Sequence, residues 1–67
     1  EVKISTVDNN IVIENAGGYS LSIYEITGQL LVAEEAIATN SFTVRMRRSG
    51  IYFIKIGNNK VQKVIIK

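Results

Sequence analysis

The end of the chain reads Gly50-Ile51-Tyr52-Phe53-Ile54-Lys55-Ile56, then Gly57-Asn58-Asn59, and it closes on Lys63-Val64-Ile65-Ile66-Lys67. In the first and last of these runs, apolar side chains recur at every second position. This period is typical of a half-buried strand, because neighbouring side chains point to opposite faces. Most chains leave their last residues poorly ordered. A final strand flanked by lysines is therefore either a structural closing strand or an element that another protein recognises.

The same period of two extends upstream and is interrupted by turn residues at short, even spacing. The predicted strands cover residues 2–7, 11–13, 19–24, 30–36, 42–47, 50–56 and 60–67. Thr27-Gly28-Gln29 reads as a tight turn, because glycine supplies the positive φ that a two-residue hairpin needs. Seven short strands with turns between them predict an all-β fold, a seven-stranded antiparallel Greek-key β-sandwich.

One segment, residues 30–38, also contains good helix formers, among them Ala33 and Glu34. Because the segment is short and lacks an N-cap, we predict a strand there. In a sandwich, alternate residues of each strand face the space between the sheets. The predicted core consists of Leu21, Ile23, Phe42, Val44, Tyr52, Ile54, Val64 and Ile66.

The composition fits one small domain without cofactor chemistry. The 67 residues are 46% hydrophobic, an ordinary share for a globular protein, so the chain is not a disordered tail. It contains no cysteine and no histidine, which excludes disulfides, thiolate nucleophiles, imidazole bases and the usual zinc ligands. Its apolar runs are too short to span a bilayer. We expect residues 1–67 to form a single domain with no transmembrane segment.

Acidic and hydroxyl side chains do not form a candidate active site. Glu34 and Glu35 are neighbours in a predicted strand, so their carboxylates point to opposite faces and cannot act on one substrate. The cluster Asp8-Asn9-Asn10 lacks the downstream glycine and acid of a calcium loop. Serine and threonine have no histidine to activate them, and Gly17-Gly18 opens no helix as a phosphate loop does. The sequence predicts no enzyme, no metal and no cofactor.

Charge is divided unevenly along the chain. Residues 1–40 carry six acids and one base, whereas residues 41–67 carry seven bases and no acid, so that −5 and +7 combine to a net charge of +2. With the predicted core facing inward, the basic residues of the second half are expected to share the opposite side with Phe53. These residues are Arg45, Arg47, Lys55, Lys63 and Lys67.

This basic side has three interpretations. Basic residues beside aromatic ones can form a nucleic-acid platform, but a single exposed phenylalanine and the lack of a binding signature argue against nucleic acid as a partner. Lysines also protect edge strands from aggregation. The third interpretation is a docking face for a protein or an anionic membrane surface, with Arg45, Arg47 and Lys55 as its candidate residues. The last two interpretations stay open.

Three segments, in their order and spacing, resemble the C-terminal sorting domain of the type IX (Por) secretion system of Gram-negative bacteria. They are Leu21-Ser22-Ile23-Tyr24 with Thr27-Gly28-Gln29 and Leu31, the run from Gly50 to Ile56, and the terminal Lys63-Val64-Ile65-Ile66-Lys67. The resemblance covers essentially the whole chain and implies a small immunoglobulin-like sandwich. It matches Gly28 to the family's hairpin glycine, and Gly50 and Tyr52 to its Gly-x-Tyr pair, with Ile54 in the same strand.

The resemblance also implies a function. Proteins of this kind carry the domain as a non-catalytic signal, with residues 63–67 as the recognised strand, and pass through the periplasm and across the outer membrane. A cysteine-peptidase-like sortase at the surface usually removes the domain. We therefore expect the chain to end a longer exported protein that reaches the outer membrane, the cell surface or the medium. The implied partners are the outer-membrane translocon and the sortase, and edge strands without proline also allow a homodimer.

The alternative function is a structural or adhesive immunoglobulin-like accessory module of a secreted enzyme. Aromatic residues at 7% and no tryptophan argue against a carbohydrate-binding surface. The two functions differ in one feature of the full-length protein. A sorting signal must form the natural C-terminus, whereas an accessory module can be followed by further residues.

Overall fold

The computed structural model describes residues 1–58 and 60–67. The described residues form seven strands: β1 (Lys3–Val7), β2 (Asn10–Glu14), β3 (Leu21–Glu25), β4 (Leu30–Glu34), β5 (Ser41–Arg45), β6 (Gly50–Ile56) and β7 (Lys60–Ile66). The described residues contain no helix. The all-β prediction and the seven strands are therefore confirmed, and β4 occupies the segment in which a helix competed. Asn59, which we placed in the turn after β6, lies outside the described residues.

The strands form two antiparallel sheets. One has the order β1-β2-β5 and the other the order β4-β3-β6-β7, and every neighbouring pair is antiparallel. The chain leaves the three-stranded sheet after β2, forms β3 and β4, and returns for β5. It then ends in the four-stranded sheet, with β7 as an edge strand.

The two sheets face each other across one apolar core. The most completely buried large side chains come from both sheets: Ile11, Ile13, Leu21, Ile23, Ile54 and Ile66. Of the predicted core, Leu21, Ile23, Tyr52, Ile54, Val64 and Ile66 are buried. Phe42 and Val44 pack against the core but are only partly buried, and Val44 also lines an open cleft beside β5. Within the described part of the chain no polar or charged residue is buried, so apolar burial is what holds the sheets together.

The turn between β3 and β4 is longer than the predicted two-residue hairpin. The N–H of Gly28 donates to the carbonyl oxygen of Glu25 at 2.8 Å, and the N–H of Glu25 donates to the carbonyl oxygen of Gln29 at 3.0 Å. These bonds close a loop of residues 26–28, in which Gly28 has a φ of 94°. A three-residue hairpin loop of this kind ends in a left-handed residue. The predicted need for a positive φ at Gly28 is therefore confirmed, although the loop type is different.

Ile37 anchors the connection that crosses from β4 to β5. Its side chain is 2% exposed. Its N–H donates to the carbonyl oxygen of Tyr19 at 2.9 Å, and its carbonyl oxygen accepts from the N–H of Gly18 at 2.8 Å. These contacts hold the crossover against the β2–β3 connection. The chain then continues into β5, which pairs with β2 and places Val44 opposite Ile11.

Candidate functional site

Strand β7, which contains the predicted recognition residues, lies at an edge of the four-stranded sheet. Among the described strands it pairs with β6 alone, so alternate N–H and C=O groups point away from the sheet. Strand β1 of the other sheet packs close to β7. A cleft beside them is lined by Thr6, Asp8, Asn9, Ile65 and Lys67. The outward backbone groups of β7 form a template to which another strand can add.

The five predicted recognition residues divide between the core and the solvent. Val64 and Ile66 are 7% and 2% exposed and belong to the core. Lys63 and Ile65 are exposed on the other side of the strand. Lys67 follows the last strand residue and is also exposed. The core-facing pair holds the strand in place, and the exposed residues are available for recognition.

The residues matched to the Gly-x-Tyr motif shape the start of β6. The hydroxyl of the buried Tyr52 donates to the carbonyl oxygen of Arg48 at 2.7 Å. Gly50 has a φ of 154°, which residues with a side chain rarely adopt. A Cβ at this position would have room, since the nearest atom is the Tyr52 hydroxyl oxygen at 3.8 Å. The backbone conformation, and not the available space, is therefore what favours glycine at this position.

Ile54, in the same strand as this motif, lies at the centre of the core. It is 0% exposed and lies opposite Ile23 of β3. Strand β6 itself lies between β3 and β7. The role of these three residues in the structure is therefore architectural: Gly50 and Tyr52 shape the start of β6, Ile54 packs in the core, and β7 pairs with this strand.

The structure does not bring the candidate basic docking residues onto one face. Arg45 ends β5 in the three-stranded sheet, whereas Lys55 lies in β6 of the four-stranded sheet. Both point away from the core, but the outward sides of two packed sheets face in opposite directions. Arg47 lies in the connection between β5 and β6. The alternation indicated correctly that these side chains point outward, but it contains no information about which sheet a strand joins.

Our sequence reasoning did not find a cleft between the edge strands β4 and β5. The cleft has a volume of about 420 Å³ and combines apolar side chains with arginines. Its apolar lining includes Leu31, Val32, Val44, Met46 and Tyr52. Its arginines are Arg45, Arg47 and Arg48. Because β4 and β5 are edges of different sheets, no periodic signal in the sequence indicates that they lie near each other.

The described part of the chain contains no arrangement of side chains that supports catalysis. No group of three or more histidine, cysteine, aspartate or glutamate residues is placed there to hold a metal ion. Glu34 and Glu35 are exposed at the end of β4, and Asp8 lies in the β1–β2 turn with a φ of 55°. Over the same residues, no helix has the length and apolar character needed to cross a membrane.

These observations define the class of the protein: a small all-β sandwich whose last strand presents its edge and alternating side chains to the solvent. The family model described as "Secretion system C-terminal sorting domain" matches residues 3–67. The chain therefore belongs to the family of C-terminal sorting domains of type IX secretion. No curated protein matches the chain.

Family membership has direct consequences for function. The family is a sorting signal and not a catalytic family. Membership implies interaction with the type IX secretion machinery and export across the outer membrane to the cell surface or the medium. The resemblance seen in the sequence is thus confirmed for the residues from β1 to the end of the chain.

Proposed function

We propose that this domain is the non-catalytic signal that directs an attached cargo protein through the type IX machinery, and that the machinery reads strand β7. The observation that carries the proposal is the edge position of β7 in a chain that the family matches over residues 3–67. On this proposal the domain passes through the periplasm to the outer-membrane translocon. A surface sortase then removes it, and the cargo stays at the surface or is released.

An edge strand suits this role for two physical reasons. Its outward backbone groups supply affinity when a partner strand adds to the sheet, and its alternating side chains supply specificity. In β7 the exposed set includes the ammonium group of Lys63 and the apolar side chain of Ile65. Because Val64 and Ile66 are packed in the core, this spacing of exposed groups exists only when the domain is folded.

We also propose an immunoglobulin-like Greek-key arrangement for the sandwich. Its support is the strand order, in which β1, β2 and β5 correspond to strands A, B and E, and β3, β6 and β7 to strands C, F and G. The hydrogen bond from Tyr52 to the carbonyl oxygen of Arg48 resembles the tyrosine corner near the start of strand F in such sandwiches. On this correspondence the recognised strand is strand G, at the sheet edge.

The test is the export of a reporter fused ahead of this domain in a bacterium with a type IX system. Replacing Lys63→Glu and Lys67→Glu reverses two exposed charges and should change the free energy of unfolding by no more than about 0.5 kcal/mol. We expect the folded double variant to accumulate in the periplasm. Deleting residues 63–67 should also block export, but it removes Val64 and Ile66 from the core. Thermal melts therefore accompany each variant.

The double substitution Arg45→Glu and Arg47→Glu is the matched control. It makes the same change in net charge at exposed positions outside β7, and we expect this variant to reach the cell surface. If the folded Lys63/Lys67 variant is exported like the wild type, these lysines only protect an edge strand and recognition through them is wrong. Retention of the Arg45/Arg47 variant alone would place the docking element at the basic β5–β6 connection. No observation favours the accessory-module alternative.

A further inference from the structure

The pairing register assembles a contiguous apolar surface on the side of the four-stranded sheet that faces away from the core. We name this surface the outer face. One row across the four strands contains Leu30, Tyr24, Phe53 and Lys63 in that order. The apolar members of the outer face are Tyr24, Leu30, Ile51, Phe53, Val61 and Ile65. Isolated exposed apolar residues are ordinary, but a contiguous set indicates an interaction site.

The exposure of these side chains is substantial. Leu30, Val61 and Ile65 are 49%, 61% and 54% exposed. Phe53 is half-buried in the middle of the row, between Tyr24 on β3 and Lys63 on β7. Large aromatic side chains near the centre of an apolar patch are the residues on which binding most often depends. Phe53 is therefore the natural anchor of this surface.

The outward side of the three-stranded sheet has a different character. Its cross-strand neighbours include Lys3 opposite Glu14. Val12 lies there between Ser5 and Thr43. Charged, hydroxyl and isolated apolar residues of this kind are typical of a solvated sheet surface. The apolar outer face is therefore a property of one sheet and not of the sandwich as a whole.

Among the described residues, the charged members of the outer face are both positive; Asp8 of the β1–β2 turn lies only at its edge, in the cleft beside Ile65. Lys55 and Lys63 lie on that side because their chain neighbours Ile54 and Val64 face the core. The acids in the described strands of this sheet are Glu25 and Glu34. They lie opposite the core-facing residues Tyr52 and Leu21, so they are on the core-facing side of the sheet and not on the outer face. An apolar surface with only positive charges is complementary to an apolar surface that carries carboxylates.

We propose that the outer face docks an apolar, acidic protein surface of the export machinery, in addition to any strand that adds at the β7 edge. This inference rests on the proposed function, which supplies the partner. A second copy of the chain is less suitable, because two outer faces would bring Lys55 and Lys63 of both copies into one interface. An anionic bilayer is also less suitable, since lipid-binding patches cluster about four to eight cations.

The first experiment compares matched substitutions on the two sheets in the fused reporter. Phe53→Glu places a carboxylate in the outer face, whereas Val12→Glu places one at a half-buried position on the outward side of the other sheet. We expect Phe53→Glu to lower the amount of reporter at the surface by at least about tenfold, because losing a binding anchor weakens binding by that factor or more. Val12→Glu should leave export unchanged. Thermal melts establish that both variants are folded.

The second experiment identifies what covers the outer face. The photoreactive residue p-benzoylphenylalanine replaces Phe53 in one fusion and Thr43, on the other sheet, in a second. Irradiation during export should link position 53, but not position 43, to one region of a machinery protein. Mass spectrometry of the linked peptide should find aspartate or glutamate beside apolar residues. The purified chain is also sedimented with phosphatidylglycerol vesicles, and we expect it to stay in the supernatant.

Several results would overturn the docking proposal. The first is export of folded Phe53→Glu at the level of Val12→Glu. The second is a link from position 53 to the upstream cargo, to a second copy of the chain, or to a peptide without carboxylates. The third is sedimentation of the chain with the vesicles, if the substitution Phe53→Glu abolishes that sedimentation. None of these affects the proposed sorting function. That function fails separately if a reporter without residues 1–67 is exported as efficiently as one that carries them.

Discussion

Truncation of Ile54 should remove a large part of the stability of this domain. Ile54 is 0% exposed and lies in β6, opposite Ile23 of β3 and Gln62 of β7. Replacing it by alanine deletes three carbon groups, each worth about 0.8 kcal/mol in transfer to water. It also leaves a cavity that two paired strands cannot collapse to fill, so the total loss should be about 2–5 kcal/mol.

This loss is large because the domain is small. At the usual stability per residue, a chain of this length unfolds with about 3–10 kcal/mol. Urea titrations followed by far-ultraviolet circular dichroism measure the change for Ile54→Ala. If that variant does not fold at all, Ile54→Val should still fold and lose about 0.5–1.5 kcal/mol.

Ile65→Ala provides the matched control on the neighbouring strand. Ile65 is the same residue type but is 54% exposed on the outer face, so its truncation should change the free energy of unfolding by no more than about 0.5 kcal/mol. Equal losses for Ile54→Ala and Ile65→Ala would refute the assignment of the two sides of the four-stranded sheet. The outer face as defined above would then also be wrong.

Two further predictions concern the tyrosine hydrogen bond and the strand edges. Tyr52→Phe removes the 2.7 Å bond to the Arg48 carbonyl oxygen and should cost about 1 kcal/mol. In a domain of this size that lowers the Tm by about 4–8 °C; an unchanged melt beside the control Tyr24→Phe would contradict it. The chain has no proline to protect its edge strands, so we expect dimers at millimolar concentration. A strictly monomeric mass in light scattering would contradict that prediction.

The strands and their inward sides could be predicted because they are encoded locally. In β6, Tyr52, Ile54 and Ile56 recur at every second position, and all three are buried in the structure. The left-handed conformation of Gly28 was likewise predicted from its place in a turn. Such features depend on backbone stereochemistry and on alternation within a few residues.

The remaining features depend on contacts between distant parts of the chain. Strand β2 pairs with β5 across two intervening strands, and nothing local in either strand specifies that partner. For this reason Arg45 and Lys55 were assigned to one face although they lie on different sheets. The core residue Ile37 was missed for a related reason: it lies in a connection without periodicity and is anchored by the backbone of Gly18 and Tyr19.

The proposed recognition strand β7 also contributes side chains to the core, so the proposal predicts that folding and sorting are coupled in this domain. Val64 and Ile66 are packed in the core while Lys63 and Ile65 between them face the solvent. A partner that recognised residues 63–67 as a linear peptide would bind equally well after a cavity is made at Ile54, which lies outside that segment. A partner that reads the edge of β7 or the outer face needs the folded domain, and its binding should fall with the folded fraction. Export of the Ile54→Ala and Ile54→Val fusions, compared with their measured stabilities, therefore distinguishes a conformational signal from a linear one.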